Sequence, residues 1–273
     1  MKIKEHQLGL HFLFILTVLV LLFPLVYALS NSFKTLNDAF NNVFSLIPRE
    51  FTLQNYIHVF TRLDFMRIVG NTFFISTTVT IFKIITSLLA AYSLVFFNFK
   101  GKNTLYFILL STMFIPFTVT MIPNYLTISS WGLGDSLIGV LIPQLADVLG
   151  IFLLRQSMRG IPRSLIEYAQ LEGASTYNII TGIVIPLIRP NIISTGILFF
   201  VNSWNEYVWP VLILKTKSKF TLSLALQMFI SSEGGTDFTI AMAVSVMTMI
   251  IPITLYLIFQ RYILDTFTTS GVK

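Results

Sequence analysis

Apolar residues gather along the chain in long uninterrupted blocks, not in the alternating or amphipathic patterns of a domain with one wet face. A helix needs roughly 20 apolar residues to cross a hydrocarbon layer about 30 Å thick. Six blocks approach or exceed that length: residues 8–29, 68–97, 105–128, 136–154, 192–214 and 238–260. Each predicts a membrane-spanning helix, so the expected fold class is all-α and polytopic, with six transmembrane helices. Lys2 and Lys4 precede the first block as they would in a secretory signal, but the block is longer than a signal's apolar region and has no small-residue cleavage site. It is read as an uncleaved anchor.

Composition agrees with this pattern. Of 273 residues, 55% are hydrophobic and 11% charged. Soluble domains carry roughly 25% charged residues, so both an ordinary soluble domain and a disordered chain are excluded. The absence of Cys excludes a disulfide scaffold, a Cys-based zinc site and a thiol nucleophile. The net charge of +6 is read as topology and not as nucleic-acid binding. With the N-terminus inside, Lys2, Lys4, Lys100, Lys102, Arg155, Arg159, Arg163, Arg189, Arg261 and Lys273 fall on the cytoplasmic side. Lys34, Arg49, Arg62, Arg67, Lys215, Lys217 and Lys219 fall outside, several in longer loops where the bias counts less. Both termini are therefore expected inside. The predicted organisation is an N-terminal anchor (1–30), an external loop (31–67), a membrane core (68–260) containing a cytoplasmic loop (155–190), and a cytoplasmic tail (261–273). In the external segments, FTLQNYIHVF and SSEGGTD are read either as contacts for an external partner or as solvated connectors.

The loop RQSMRGIPRSLIEYAQLEGASTYNIITGIVIPLIRP is too polar to span and too patterned to be a linker. Pro162 stops the preceding span. Ser164, with Glu167 three residues on, has the spacing of a capping box and predicts a helix from Leu165. Gly173 suits the left-handed residue that ends it, and Ser175 is placed to cap a second helix running toward Pro186. The expected product is a helical elbow.

These residues carry a family resemblance. Glu167, Ala169 and Gly173, followed after nine residues by Ile183, Ile185 and Pro186, resemble the E-A-A-x3-G-x9-I-x-L-P pattern of permease subunits of binding-protein-dependent ATP-binding-cassette importers. Tyr168 stands in place of the second small residue and Ile185 in place of Leu. AAYSLVFFNFKGKN, IPFTVTMIPNYL, IFLLRQSMRGIP, SWNEYVWPVLIL and FQRYILDTFTTSGVK are similar to the carbohydrate-uptake class, in particular its maltose-permease-like smaller subunit, with Asn98 where Arg is common. The resemblance implies the type I importer permease fold and residence in a prokaryotic cytoplasmic membrane. It implies solute import by alternating access, with Ser164, Glu167, Ala169, Gly173, Ala174 and Pro186 coupling the chain to an ATPase. It also implies the partners: a second homologous permease, a dimeric cytoplasmic ATPase, an external solute-binding protein and membrane lipid, with no nucleic acid. The tail TTSGVK resembles tails that reach the ATPase. The chain has no G-x4-G-K-[S/T] phosphate loop, so ATP and Mg are expected on the partner ATPase and no cofactor on this chain.

Ionisable groups inside spans are costly and are functional candidates by default. Asn202, Asn205, Glu206 and Trp209 follow i, i+3, i+4, i+7 spacing and are expected to share one helical face. The stripe reads either as a solute path, offering amide, carboxylate and indole to a sugar, or as helix-to-helix glue with an interfacial Trp. Lys83 has three readings: snorkelling, pairing with Asp147 or Glu206, or contact with an anionic solute, since glycerol-phosphate permeases of the class are similar in carrying a Lys there. Asp147 reads equally as pore lining or pairing. Pro116 and Pro123, with Met113 and Met121, predict a kinked gate element. Gly132–Asp135 spells the GxGD of intramembrane aspartyl proteases, whose two carboxylates must share a proton at near contact. Asp147 follows twelve residues later, about 18 Å along a helix, so no dyad can form. His6, His11 and His58 make no H-E-x-x-H site. An ion-driven secondary transporter is the remaining alternative, disfavoured by the absence of an internal repeat and the presence of the elbow.

Overall fold

The computed structural model describes residues 5–62, 64–230 and 238–271. Lys2, Lys4, Lys273 and the SSEGGTD segment lie outside them. In chain order the helices are α1 (Glu5–Ser32), α2 (Leu36–Asn41), α3 (Gln54–Arg62), α4 (Phe65–Phe96), α5 (Lys102–Thr112), α6 (Phe117–Ser130), α7 (Leu137–Leu141), α8 (Val148–Met158), α9 (Arg163–Leu171), α10 (Thr176–Ile179), α11 (Ile185–Leu187), α12 (Arg189–Trp204), α13 (Val208–Ile213), α14 (Leu222–Ile230) and α15 (Phe238–Gly271). The only extended pairing among the described residues is a bridge between Lys34 and Phe51. The all-α expectation holds.

Among the described residues, three helices are long and apolar enough to cross a membrane unbroken, at Gly9–Ser32, Phe65–Phe96 and Phe238–Tyr262. Three further helix pairs pass the same test only together, each bent at a short break, as in a broken span or a re-entrant loop. Residues 102–112 and 117–130 meet at 94°, 137–144 and 148–158 at 44°, and 176–187 and 189–213 at 82°. Proline accounts for the break points, because it lacks the N–H that would bond the carbonyl four residues back, and its ring crowds that carbonyl. Pro116 is the extended N-cap of α6, Pro143 sits in the short 3₁₀ turn after α7, and Pro190 occupies the first turn of α12. Pro123, expected to help kink the third span, lies inside α6 without breaking it.

The chain divides into two compact units. One comprises residues 1–68 and 224–251. Within it the expected external loop is a knot held by buried polar groups. Asn55 donates through Nδ2 to the Ser32 and Lys34 carbonyls, both at 2.8 Å, and its Oδ1 accepts from Thr239 at 3.0 Å. Lys34, fully buried, donates to the carbonyls of Asn42 and Ser45. Burial works against the Asp38 carboxylate, but the Asn42 side chain, the Arg49 and Glu50 amides and the Lys34 charge together bring its pKa below the ordinary value.

The second unit comprises residues 69–223 and 252–273. Its core at one end gathers Leu88, Tyr92 and Val95 of α4, Leu154 and Met158 of α8, Ile166 of α9, and Ile179, Val184 and Ile188 beyond it. Nearby, α4, α8 and α12 cross closely. A Cβ placed on Gly150 would come within 2.7 Å of Phe199 Cζ and closer still to Ser87 Oγ. Small residues allow such backbone approach between membrane helices.

Candidate functional site

The elbow forms around a Schellman ending. Gly173 has φ +79, its amide donates to the Gln170 carbonyl at 3.0 Å, and the Ala174 amide donates to the Ala169 carbonyl at 2.9 Å. Together these bonds close α9 and turn the chain. Ser175 then caps α10 by accepting from the Asn178 amide at 3.2 Å, as the sequence predicts. Pro186 lies in α11, where the second elbow helix ends before the 82° bend, and between α10 and α11 the helix widens to π form over Ile180–Val184.

The expected capping box does not form. Pro162, at φ −58 and ψ 128, is the N-cap of α9, and the helix begins at Arg163 without a side-chain cap. The locked φ of Pro162 suits a chain entering a helix, so α9 starts two residues before the expected Leu165. Ser164 then lies inside the first turn instead of flanking it. Ser164 and Glu167 are both exposed.

Of the nine residues of α9, only Ile166 and Ala169 reach the core. Leu165 (44% exposed), Tyr168 (69%) and Leu171 (83%) form the outward stripe, continued by Tyr177. This apolar stripe escaped the sequence reading, although the i, i+3, i+6 spacing of Leu165, Tyr168 and Leu171 opposite Ile166 and Ala169 was its signal. Tyr168, which departs from the small residue of the resembled pattern, points outward, so its bulk displaces nothing in the core.

Among the candidates in the spans, the structure brings Lys83 and Asp147 together. Lys83 Nζ is 2.8 Å from Asp147 Oδ2 and 5.0 Å from the Phe199 ring centroid. Asp147 also caps α8, its Oδ1 accepting from the Leu149 amide at 2.8 Å. Lys83 and Asp147 thus form the pair that one of the readings expected, with Asp147 and not Glu206 as the partner of Lys83.

The Asn202, Asn205, Glu206 and Trp209 stripe is not one helical face. α12 ends at Trp204 and α13 resumes at Val208, because Pro210 has no N–H for the Glu206 carbonyl. Asn202 and Asn205 are exposed, Asn205 is the C-cap of α12, and Glu206 Oε1 accepts from the Trp209 amide at 3.1 Å. Trp209, 2% exposed, is buried and not a belt residue. Its indole N–H donates to the Gly139 carbonyl at 3.3 Å, the carbonyl that Pro143 leaves without its helical donor.

Asp135, at φ +48, fastens the turn before α7. Its carboxylate accepts from the amides of Thr216 (3.0 Å) and Lys215 (2.8 Å), from the Thr216 hydroxyl (2.7 Å) and from Lys219 Nζ (3.1 Å). These bonds, the backbone ones foremost, hold its pKa well below the usual carboxylate range.

Residues 83–267, more than half of the chain, match the family model described as binding-protein-dependent transport system inner membrane component. The arabinooligosaccharides transport system permease protein AraQ of Halalkalibacterium halodurans is 31% identical over 99% of this chain and 97% of its own length. The sn-glycerol-3-phosphate transport system permease protein UgpE of Yersinia enterocolitica is 30% identical over 94% of this chain and 96% of its own. A chain of a bacterial ABC transporter involved in the import of the acidic polysaccharide alginate superposes with a TM-score of 0.81 at 26% identity, covering 96% of this chain and 99% of that one.

Proposed function

The chain belongs to the family of binding-protein-dependent transport system inner membrane components, and on that premise we propose that its elbow couples a separate ATPase to movement of the membrane helices. It is a multi-pass permease subunit of an importer, and the family sets aside the ion-driven alternative. The observation that carries the coupling reading is the construction of α9: a rigid short helix, anchored by Ile166 and Ala169, with Leu165, Tyr168 and Leu171 turned outward and Glu167 exposed beside them. An apolar stripe on a polar loop fits a groove in a partner, and the Gly173 turn fixes the angle at which a push on α9 reaches α10.

In this reading the elbow and both termini are cytoplasmic. The ATPase is dimeric and binds ATP and Mg, so this chain carries no cofactor. A second homologous permease completes the path, and an external binding protein delivers the solute. The named cargoes of the relatives share clustered hydroxyls, so the solute is a sugar or related polyol, with glycerol phosphate or its diesters as the alternative within the class. Asn202 and Asn205, both exposed, are the residues of the broken stripe best placed for solute; Asn205 spends one Nδ2 donor on the Val201 carbonyl at 3.0 Å. Lys83 and Asp147 act by holding α4 to α8.

The test begins with gentle solubilisation of the tagged chain and identification of what co-purifies. A second permease and a Walker-motif ATPase are expected. In that complex, Leu171→Asp and Glu167→Ala should lower ATPase retention and coupled uptake while membrane yield stays at the wild-type level, and Gly173→Pro should do the same more severely. Wild-type hydrolysis and uptake in all three variants would remove the coupling assignment.

A further inference from the structure

A cavity of about 330 Å³ where α4 ends and α5, α8 and α9 meet has no part in the coupling scheme. Its lining includes Lys102, Asn103, Arg155, Arg159 and Arg163 around an apolar floor at Val95 and, among the described residues, no carboxylate. A charge bias across a membrane explains how many basic residues lie on one side, but not their convergence on one concavity. Four cations facing one another repel, and such clusters are ordinarily neutralised by acidic neighbours. Here none of the four forms an ion pair among the described residues, although Glu167 lies one helical turn from Arg163.

The local geometry sharpens the mismatch. Lys102 and Arg163 are the first residues of α5 and α9, and neither helix has a side-chain cap. Helix N-termini carry positive partial charge and open N–H groups, so they favour anions and disfavour resident cations. Lys102 Nζ spends two donors on the Val95 and Phe97 carbonyls at the end of α4. Arg155 lies over the Tyr106 ring at 3.8 Å from its centroid, which fixes the guanidinium, yet its Nε is buried with no acceptor. Arg159 and Arg163 are exposed.

The surroundings identify the anion. The cavity opens at the end of α4, a helix long and apolar enough to cross a membrane, and Phe97 and Phe99, which follow that helix in the chain, are both exposed. Along α5, Leu105, Phe107 and Ile108 present an exposed apolar flank leading away from Lys102. A ligand with a phosphate at one end and acyl chains at the other satisfies both surfaces, and basic pockets between membrane helices are suited to such headgroups. We propose that this cavity binds the phosphate-bearing headgroup of an anionic phospholipid, with Arg155, Arg159 and Arg163 as its cationic contacts. The site requires only that this end of α4 meets a bilayer surface, so it stands apart from the identity of the importer's partners. A lipid held there touches the first residue of α9 and ties the elbow to the membrane.

The test titrates the full chain, purified in mild detergent, with dioleoylphosphatidylglycerol, dioleoylphosphatidylcholine and inorganic phosphate, reading bound ligand by native mass spectrometry. One phosphatidylglycerol should be retained in preference to phosphatidylcholine. At about fivefold per basic residue, Arg159→Gln with Arg163→Gln should weaken it by roughly 25-fold and leave phosphatidylcholine unchanged. Lys217→Gln, on an exposed loop cation elsewhere, should change neither. If the double variant fails to insert, Arg159→Gln alone is read, with about fivefold expected. Equal retention of the two lipids, or a preference untouched by the arginine changes, overturns the proposal. Binding of inorganic phosphate without a preference for phosphatidylglycerol overturns it in favour of a soluble anion.

Discussion

Replacing Asp147 by Asn isolates the charge of the Lys83–Asp147 pair, because the amide oxygen can still accept from the Leu149 amide and preserve the cap of α8. At 2.8 Å the gross attraction is about 6 kcal/mol for an effective dielectric near 20. Desolvation of both groups offsets much of this, but removal of one partner leaves the other charge uncompensated, at about 3–5 kcal/mol. The side chains retain 14% and 28% exposure, which places the expected loss near the lower figure, about 3 kcal/mol. Lys83→Met combined with Asp147→Asn removes both charges and should recover all but about 1 kcal/mol. Urea unfolding of the purified chain in detergent, followed by far-ultraviolet circular dichroism, measures both. A single variant within about 0.5 kcal/mol of wild type, or a double variant no better than the single, refutes the claim that the pair holds α4 to α8. Uptake separates the roles further: a structural pair predicts that transport returns with stability in the double variant, whereas a solute-binding Lys83 predicts stable protein that does not transport.

Asp135 ties pH to the fold. Its folded pKa is depressed, so its contribution is present above the unfolded value of about 3.9 and is lost as pH falls below it toward the folded value. Melting temperature should therefore fall between about pH 4 and 3 more steeply in the wild type than in Asp135→Asn. Gly150→Ala should cost about 1–3 kcal/mol through overpacking against Phe199 and Ser87, seen as a lower melting temperature in detergent; an unchanged value would mean that α4, α8 and α12 do not cross as closely as described. Trp209→Phe keeps an aromatic ring in the site but strands the Gly139 carbonyl, and should cost about 1–3 kcal/mol in the same urea titration. A variant as stable as the wild type would show that the indole hydrogen bond does not hold α13 to α7.

The long apolar helices, the all-α class, the turn at Gly173 and the following cap at Ser175 were all legible in the order of residues alone. They depend on short-range quantities: the length of an apolar run, the freedom of one glycine, the reach of one hydroxyl to an amide three residues on. The start of α9 was also local, but two signals competed there, and the fixed φ of Pro162 outweighed the Ser164 and Glu167 spacing. Periodicity misplaced Asn202, Asn205, Glu206 and Trp209 on one face because it presumes an unbroken helix, and Pro210 breaks it. Packing in three dimensions was needed to select Asp147 as the partner of Lys83, to bring Trp209 to the carbonyl freed by Pro143, and to gather Arg155, Arg159 and Arg163 around Lys102. The first two of these contacts join residues 64 and 70 positions apart. Their geometry follows from how bent helices pack, which no local pattern along the chain encodes.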